Sequence, residues 1–426
     1  MNYTYSGFLW RLLWNNICLK DIGRIRMKWN KNNVLLRYNN DFLIANRDLN
    51  AWIIISDEVH KIICNYAKSL NKDAFLELYE KEDKEYLQSV ISNMIKIKLL
   101  VDNEEERIVN SVSLSLTNGC NLNCIHCCMD ANNSKVRYEK QVDYWLDIID
   151  ELSTNREIEE VTVTGGEPVL KKDFKKISCY LKEKLNCKLL LLTNGTLLDD
   201  EVIGWITGVY DSISISLDGG DKILTDFIRG HGVFEKVIQT VVKLKEKGFE
   251  NISLSAILPN SIDCEEQFQK LCDELEVGCQ VRPLSYMGRA SENYISLKSI
   301  FDNYVHENKL EIADVYDNYE VANLSSCGMA SRKMATFDPY GNIYPCNLFQ
   351  ENGMEISYHN GKTFYSENVE NVISFKGTIC EDCPVNVFCW SCLSDFNNIK
   401  NDSKQIEEKC KQKKKKLMFE IWGVTD

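Results

Sequence analysis

The sequence predicts an α/β protein. A parallel sheet forms its middle, a small mostly helical domain precedes the sheet, and an irregular, cysteine-rich segment follows it. Two observations set this class. Between about residues 106 and 290, short β-like runs alternate with amphipathic helical runs, the signature of parallel strands joined by crossover helices. Cysteine, with 18 residues, is far above ordinary usage, and ten of the 18 fall into two spaced groups rather than being spread through the chain.

The first block runs to residue 105. "FLIAN" reads as a strand, and "SDEVHKIICNYAKSL" places Val59, Ile62, Ile63, Tyr66 and Leu70 on one helical face behind Ser56 as N-cap. Helices over "AFLELYEK" and "EYLQSVISNMIKIKLL" follow, and the block ends at the charged "DNEEER". In the second block, 106–290, the strand candidates are "SVSLSL", "VTVT", "KLLLL", "SISISL", "ISLSAIL" and "CQVRPL". Helices such as "YWLDIIDELS" and "VFEKVIQTVVKLKEKG" lie between them. Six such units suit an open, partial (β/α)6 barrel whose functional residues sit at the C-terminal strand ends. The third block, 291–426, has little periodicity and seven cysteines, so metal can stand in for a large core.

Bulk composition removes several classes. A net charge of −13 argues against a nucleic-acid binder, and the basic run Lys409 to Lys416 is read as a solvated helix face. No apolar stretch is long enough to span a membrane. The opening "MNYTYSGFLWRLLWNNICLK" lacks a basic leader and a cleavage site, which predicts a cytoplasmic protein. The scattered cysteines (Cys18, Cys64, Cys128, Cys179, Cys187, Cys264, Cys272, Cys279) read as small buried hydrophobes.

The first cysteine group lies in "LTNGCNLNCIHCCMD", directly after the first strand of the second block. Cys120, Cys124 and Cys127 put three thiolates on one loop, enough to hold a cubane iron–sulfur cluster with one iron left open. A zinc site completed by Cys128 or His126 is the alternative. Gly165-Gly166-Glu167-Pro168 then ends the second strand, "TNG" the third and "ISLDG" the fourth. Cysteine loop, diglycine turn and strand order together resemble the radical SAM superfamily over the whole second block. His126 stands where that family commonly has Tyr or Phe.

The resemblance implies that Cys120, Cys124 and Cys127 ligate a 4Fe–4S cluster that chelates S-adenosylmethionine and cleaves it reductively. It also implies a binding pocket. Gly165, Gly166, Glu167 and Pro168 would receive the ammonium, and Thr193 and Asn194 would face the same mouth. Ser216 and Asp218 would offer oxygens to the ribose, and Arg229 would clamp the carboxylate with its fork of donors.

The second cysteine group is Cys327, then Cys346 in "GNIYPC", then Cys380, Cys383, Cys389, Cys392 and Cys410. It resembles the SPASM extension of radical SAM enzymes, and "RPLSYMGRA" matches the family's junction of barrel and extension. The resemblance implies two auxiliary 4Fe–4S clusters. Cys380, Cys383, Cys389 and Cys410 would hold the outer one, and Cys327, Cys346 and Cys392 the inner one. The chain has two residues, Trp390 and Ser391, where the family usually has three. Structural zinc is the alternative for these cysteine pairs as well.

"NAWIIISDEV" and its surroundings resemble the PqqD-like recognition domain, a small winged helix that binds a leader peptide at a sheet edge. The expected function is therefore radical modification of a ribosomally made precursor peptide, forming a thioether or carbon–carbon cross-link, in a radical SAM oxidoreductase. The expected partners are that peptide and a flavodoxin- or ferredoxin-type electron donor, with no nucleic acid and no membrane. The alternative is an enzyme like the anaerobic sulfatase-maturating enzymes, which oxidise a Cys or Ser side chain. Those carry Asp directly after the cysteine of GxxxxC, where this chain has Asn347.

Overall fold

The computed structural model describes residues 27–103, 106–259, 262–282, 284–285, 287–297, 324, 327–390 and 392–424. The reading of residues 1–20, and Cys18, Pro283, Tyr286 and Ser391, lie outside this set.

The N-terminal part holds more β-structure than its sequence suggested. Strand β1 (Lys28–Trp29) is followed by an antiparallel sheet of β2 (Val34–Tyr38), β3 (Asp41–Asn46) and β4 (Ala51–Ser56). Helix α1 (Asp57–Lys68) starts where predicted, with Ser56 Oγ accepting from Val59 N at 3.3 Å. It ends before Leu70, which is exposed instead of sharing the apolar face. The buried Lys72 ammonium explains the stop. It donates to the carbonyls of Tyr66, Ala67 and Ser69, satisfying acceptors that the helix end leaves open. Helices α2 (Lys72–Leu76) and α3 (Lys81–Lys96) and strand β5 (Leu100–Val101), paired with β1, complete this part.

The centre is an eight-stranded sheet. It contains β6 (Ser111–Ser115), β7 (Glu160–Thr164), β8 (Lys188–Thr193), β9 (Ser212–Ser216), β10 (Ile252–Ala256) and β11 (Gly278–Val281). Two more strands, β12 (Met334–Phe337) and β13 (Ile343–Tyr344), come from the C-terminal segment. The order is β11-β10-β9-β8-β7-β6-β12-β13, and every pair is parallel except β12 with β13.

Crossovers are made by α4 (Val142–Ser153), α5 (Phe174–Lys184), α6 (Asp200–Ile206), α7 (Lys222–Arg229), α8 (Val233–Glu246) and α9 (Ile262–Leu275). The strand alternation explains the layering. Val112, Leu114, Val161, Val163, Ile213, Ile215 and Leu254 join the helices' Trp145, Ile149, Ile177, Leu181 and Val237 in one core. Ser113, Ser115, Thr162, Ser214 and Ser255 take the alternate positions and are also buried, so the opposite sheet face is covered but polar.

A second core under the C-terminal segment packs Met329, Phe349, Trp390 and Phe396 together. The basic run lies in the final helix, Ser403–Trp422, with Lys413 to Lys416 exposed to solvent. That helix sets Met418 and Ile421 against Leu36, Leu43 and Ala45, so the N-terminal sheet is covered on this face too. Among the described residues, no helix is long and apolar enough to cross a membrane.

Candidate active site

A cavity of about 430 Å³ opens at the C-terminal ends of the parallel strands. Cys120, Cys124 and Cys127 line one side of it, together with Gly165, Gly166, Thr193, Asn194, Ser216 and Arg229. Ser115, Ser214 and Ser255 line its strand side, and the Oγ atoms of all three are buried without a partner among the described residues. Leu348, Asn347 and Gln350 of the C-terminal segment also line it.

The cysteine loop is held from two directions, by Glu139, which no motif had marked, and by Arg289 of the "RPLSYMGRA" junction, to which no role was assigned from sequence. The buried Glu139 accepts from Thr117 Oγ1 at 2.9 Å and Asn118 N at 2.7 Å, and pairs with Lys171 at 3.2 Å. Arg289 fastens the other end. Its Nε donates to Cys124 O at 3.1 Å, and its Nη1 donates to Asp130 Oδ1 and Ala131 O, each at 2.9 Å. Donors point at two of the sulfurs, with Leu122 N at 3.4 Å from Cys120 Sγ and Ala131 N at 3.5 Å from Cys127 Sγ.

The diglycine turn packs directly on this loop. A Cβ on Gly165 would come within 2.5 Å of Thr117 O, and one on Gly166 within 2.2 Å of Gly119 O. Gly166 N donates to Thr117 O at 2.6 Å, and Glu167 N to Gly119 O at 2.8 Å. The Glu167 side chain is turned away from the cavity and is 0% exposed. Its carboxylate accepts from Thr193 Oγ1 and Asn194 N, each at 2.7 Å, and so ties the end of β7 to the end of β8. Burial pushes its pKa up to about 7 against these hydrogen bonds. Pro168 is buried at the start of the 3-10 turn Pro168–Leu170. The groups of this stretch that face the cavity are therefore the two glycines.

Asp218 is likewise 0% exposed and stands behind the wall. Its Oδ2 pairs with Arg229 Nε and His126 Nε2, each at 2.6 Å, and its Oδ1 accepts from Ile257 N at 2.7 Å. Burial alone would raise its pKa, but the Arg229 guanidinium and His126 reverse this and hold it well below the usual carboxylate range. Both oxygens are occupied by protein, so Asp218 aims Arg229 and His126 while those two line the cavity. Ser216 faces the cavity as expected.

The seven C-terminal cysteines gather in two sets. Cys346 has Cys327 and Cys392 as neighbours. Cys389 has Cys380, Cys383 and Cys410. Lys413 and Lys414 lie beside the second set, with Lys413 Nζ 3.5 Å from Cys389 O.

A metal cluster suits all three thiol groups on chemical grounds. Burial pushes Cys124 and Cys389 each up to about 11 and raises Cys346 as well, so these thiols stay protonated unless a cation is present. Among the described residues, no three His, Cys, Asp or Glu side chains converge closely enough for one ion. A four-iron cluster spreads its ligands more widely, because each thiolate meets a different iron.

Residues 114–273 match the family model described as the radical SAM superfamily. The mycofactocin maturase MftC of Mycobacterium tuberculosis is 24% identical over 277 residues, which cover 58% of this chain and 70% of that protein. The GTP 3′,8-cyclase of Psychromonas ingrahamii is 30% identical over 167 residues, covering 38% of this chain and 48% of the cyclase. Among solved structures, Streptococcus suis SuiB bound to its precursor peptide SuiA superimposes with a TM-score of 0.50 at 15% identity, over 87% of this chain and 97% of SuiB. The matched segment contains the three-cysteine loop, the diglycine turn, Arg229 and the strands that carry them, and residues 114–273 are a radical SAM domain.

Proposed function

We propose that the chain is a radical SAM peptide maturase that modifies a ribosomally made precursor, forming a thioether or carbon–carbon cross-link. The observation that carries this reading is the convergence of Cys120, Cys124, Cys127, Gly165, Gly166 and Arg229 on one cavity, which the C-terminal segment closes with Asn347 and Gln350. In this reading 106–290 is a partial (β/α)6 barrel, 291–426 a SPASM domain and 1–105 a PqqD-like winged-helix domain that reads the leader. Similarity to a mycofactocin maturase and the fold shared with SuiB favour a peptide substrate.

A 4Fe–4S cluster with S-adenosylmethionine, held by the cavity residues, would supply one-electron reductive chemistry that starts a radical reaction on the substrate. The chain's own residues hold and orient. Cys120, Cys124 and Cys127 ligate the cluster, and the carbonyls of the diglycine turn take the ammonium. Thr193, Asn194 and Ser216 offer polar contacts to the nucleoside. Arg229, aimed by Asp218, clamps the carboxylate. Cys380, Cys383, Cys389 and Cys410 hold an outer auxiliary cluster, and Cys327, Cys346 and Cys392 an inner one. A flavodoxin- or ferredoxin-type donor supplies the electron, in the cytoplasm. The alternative is oxidation of a protein Cys or Ser side chain. It is disfavoured because Asn347 faces the cavity where an aspartate would have to take a proton, and its Nδ2 donates to Ser113 Oγ at 3.3 Å.

The test is anaerobic reconstitution followed by dithionite and S-adenosylmethionine. The parent should carry about 12 iron atoms and release 5′-deoxyadenosine. With Cys120, Cys124 and Cys127 replaced by Ala, about eight irons should remain and the product should vanish. Zinc in place of iron in the C-terminal cysteines, or product from the triple variant at the parent rate, refutes the reading.

A further inference from the structure

The cavity carries a second cationic group that the S-adenosylmethionine site does not use. Arg282 follows β11 directly, its N donating to Ala256 O at 2.8 Å, and its side chain lines the cavity. Among the described residues its guanidinium makes no hydrogen bond or ion pair. It lies near Arg229, Asp218 and the non-ligating Cys128, whereas Arg229 lies near Cys124 and Cys127. Arg229 is thus the guanidinium beside the cluster cysteines, where the amino-acid end of S-adenosylmethionine would lie, and Arg282 is a separate one on the same cavity. Asp218 is already taken up by Arg229, His126 and Ile257 N, so Arg282 adds a second positive charge near Arg229 that an anion would offset.

Among the described residues, three other polar atoms of the same cavity are buried without a partner: Asn347 Oδ1, Gln350 Nε2 and Ser285 Oγ. The amide acceptor of Asn347 and the amide donor of Gln350 line the same cavity and match the N–H and C=O of a peptide unit. We propose that Arg282 binds a carboxylate of the peptide substrate, with the Asn347 and Gln350 amides fixing the backbone next to it. The inference rests on the peptide-maturase reading and gives it a substrate class, a peptide with a carboxylate close to the reacting residue. That carboxylate is either an Asp or Glu side chain or the C-terminus.

The probe is a pool of randomised 12-residue peptides in two forms, one with a free C-terminus and one amidated. Each is passed over reconstituted holoenzyme with S-adenosylmethionine present, and retained peptides are sequenced by mass spectrometry. Carboxylate-bearing peptides should be enriched on the order of tenfold, the size of one charge-assisted contact. Arg282→Gln should remove the enrichment. Arg282→Lys, which keeps the charge without the fork, should keep part of it and serves if the Gln variant does not fold. Enrichment only in the free-C-terminus pool, independent of Asp and Glu content, assigns the C-terminal carboxylate. Enrichment of Asp or Glu in both pools assigns a side chain. No carboxylate preference in the parent overturns the proposal, as does a preference that survives in Arg282→Gln. A loss of S-adenosylmethionine affinity in Arg282→Gln as large as its loss of peptide enrichment also overturns it, by giving the guanidinium to the cofactor. Peptide-free 5′-deoxyadenosine formation by the parent, measured alongside, separates the two readings: its absence sinks the radical SAM assignment, while the carboxylate preference is read by binding alone.

Discussion

Replacing Asp218 by Asn exchanges one carboxylate oxygen for an NH2 group, and no orientation of the amide suits the site. If the amide oxygen stays on Ile257 N, the NH2 faces Arg229 Nε and His126 Nε2; if the amide turns, the NH2 faces Ile257 N–H. His126 can change tautomer and accept, but a guanidinium cannot. Arg229 would be left buried without a counter-charge, which costs about 3–5 kcal/mol of stability. The cheaper response is for Arg229 to swing away, and its fork then no longer meets the S-adenosylmethionine carboxylate. The expected loss is about 1.5–3 kcal/mol of binding, or roughly 10- to 150-fold in Kd.

The assay is calorimetric titration of reconstituted protein in a double-mutant cycle with Arg229→Lys. If Asp218 acts through Arg229, the second substitution adds little to the first, and the coupling should be at least about 1 kcal/mol. Additive losses would refute the reasoning. So would an equal weakening of 5′-deoxyadenosine, which has no carboxylate; the Asp218 oxygens would then reach the ribose directly.

Three further outcomes are expected. Arg289→Met removes the donors to Cys124 O, Asp130 and Ala131 O and should lower stability by about 3 kcal/mol, with faster cluster loss to a chelator; cluster absorbance that decays at the parent rate would show that the loop needs no clasp. Gly166→Ala drives a methyl group against Gly119 O and should cut both iron retention at the first cluster and S-adenosylmethionine binding, so a variant with full iron content and parent affinity contradicts the packing. The Glu167 carboxyl has a folded pKa of about 7, raised from 4.5, so its contribution to stability is complete below 4.5 and is lost as pH rises through 7. Relative to the non-titrating Glu167→Gln, the cluster-free parent should therefore lose roughly 3 kcal/mol across that window in denaturant unfolding; a pH-independent difference between the two would refute it.

Much of the architecture was legible because it is local. Six strands, the Ser56 cap and most of the helical periods each follow from a few adjacent residues and are found, although the first helix stops short of Leu70 and the "AFLELYEK" helix ends at Leu76. The alternating Ser and Thr of "SVSLS", "VTVT", "SISIS" and "ISLSA" carried more than their strand signal. Hydroxyls at every second position of a strand whose other face is a core mark a covered polar surface, here the strand side of the cavity. What escaped depends on contacts distant in sequence. Glu139 sits in an unremarkable loop, and Arg289 reaches back across 165 residues to Cys124 O. The strands β2 and β4 and the lone four-residue β12 are defined by their partners rather than their own pattern. Glu167 and Asp218 were singled out as ligand-facing by their positions at strand ends, but only the fold shows that neighbouring protein groups already occupy their oxygens.

The pairing of β12 with β6 orders events in time. As the chain leaves the ribosome, β6 and the cysteine loop after it emerge early, but the strand that covers the outer edge of β6 is made roughly 200 residues later. Until then β6 presents a row of unpaired backbone groups that can recruit a strand from another chain. A nascent or proteolysed chain ending near residue 290 would keep that edge bare, immediately beside the loop meant to receive iron. Completion of the footing for that loop therefore waits on translation of the third block, and a C-terminal truncation should cost iron binding at Cys120, Cys124 and Cys127.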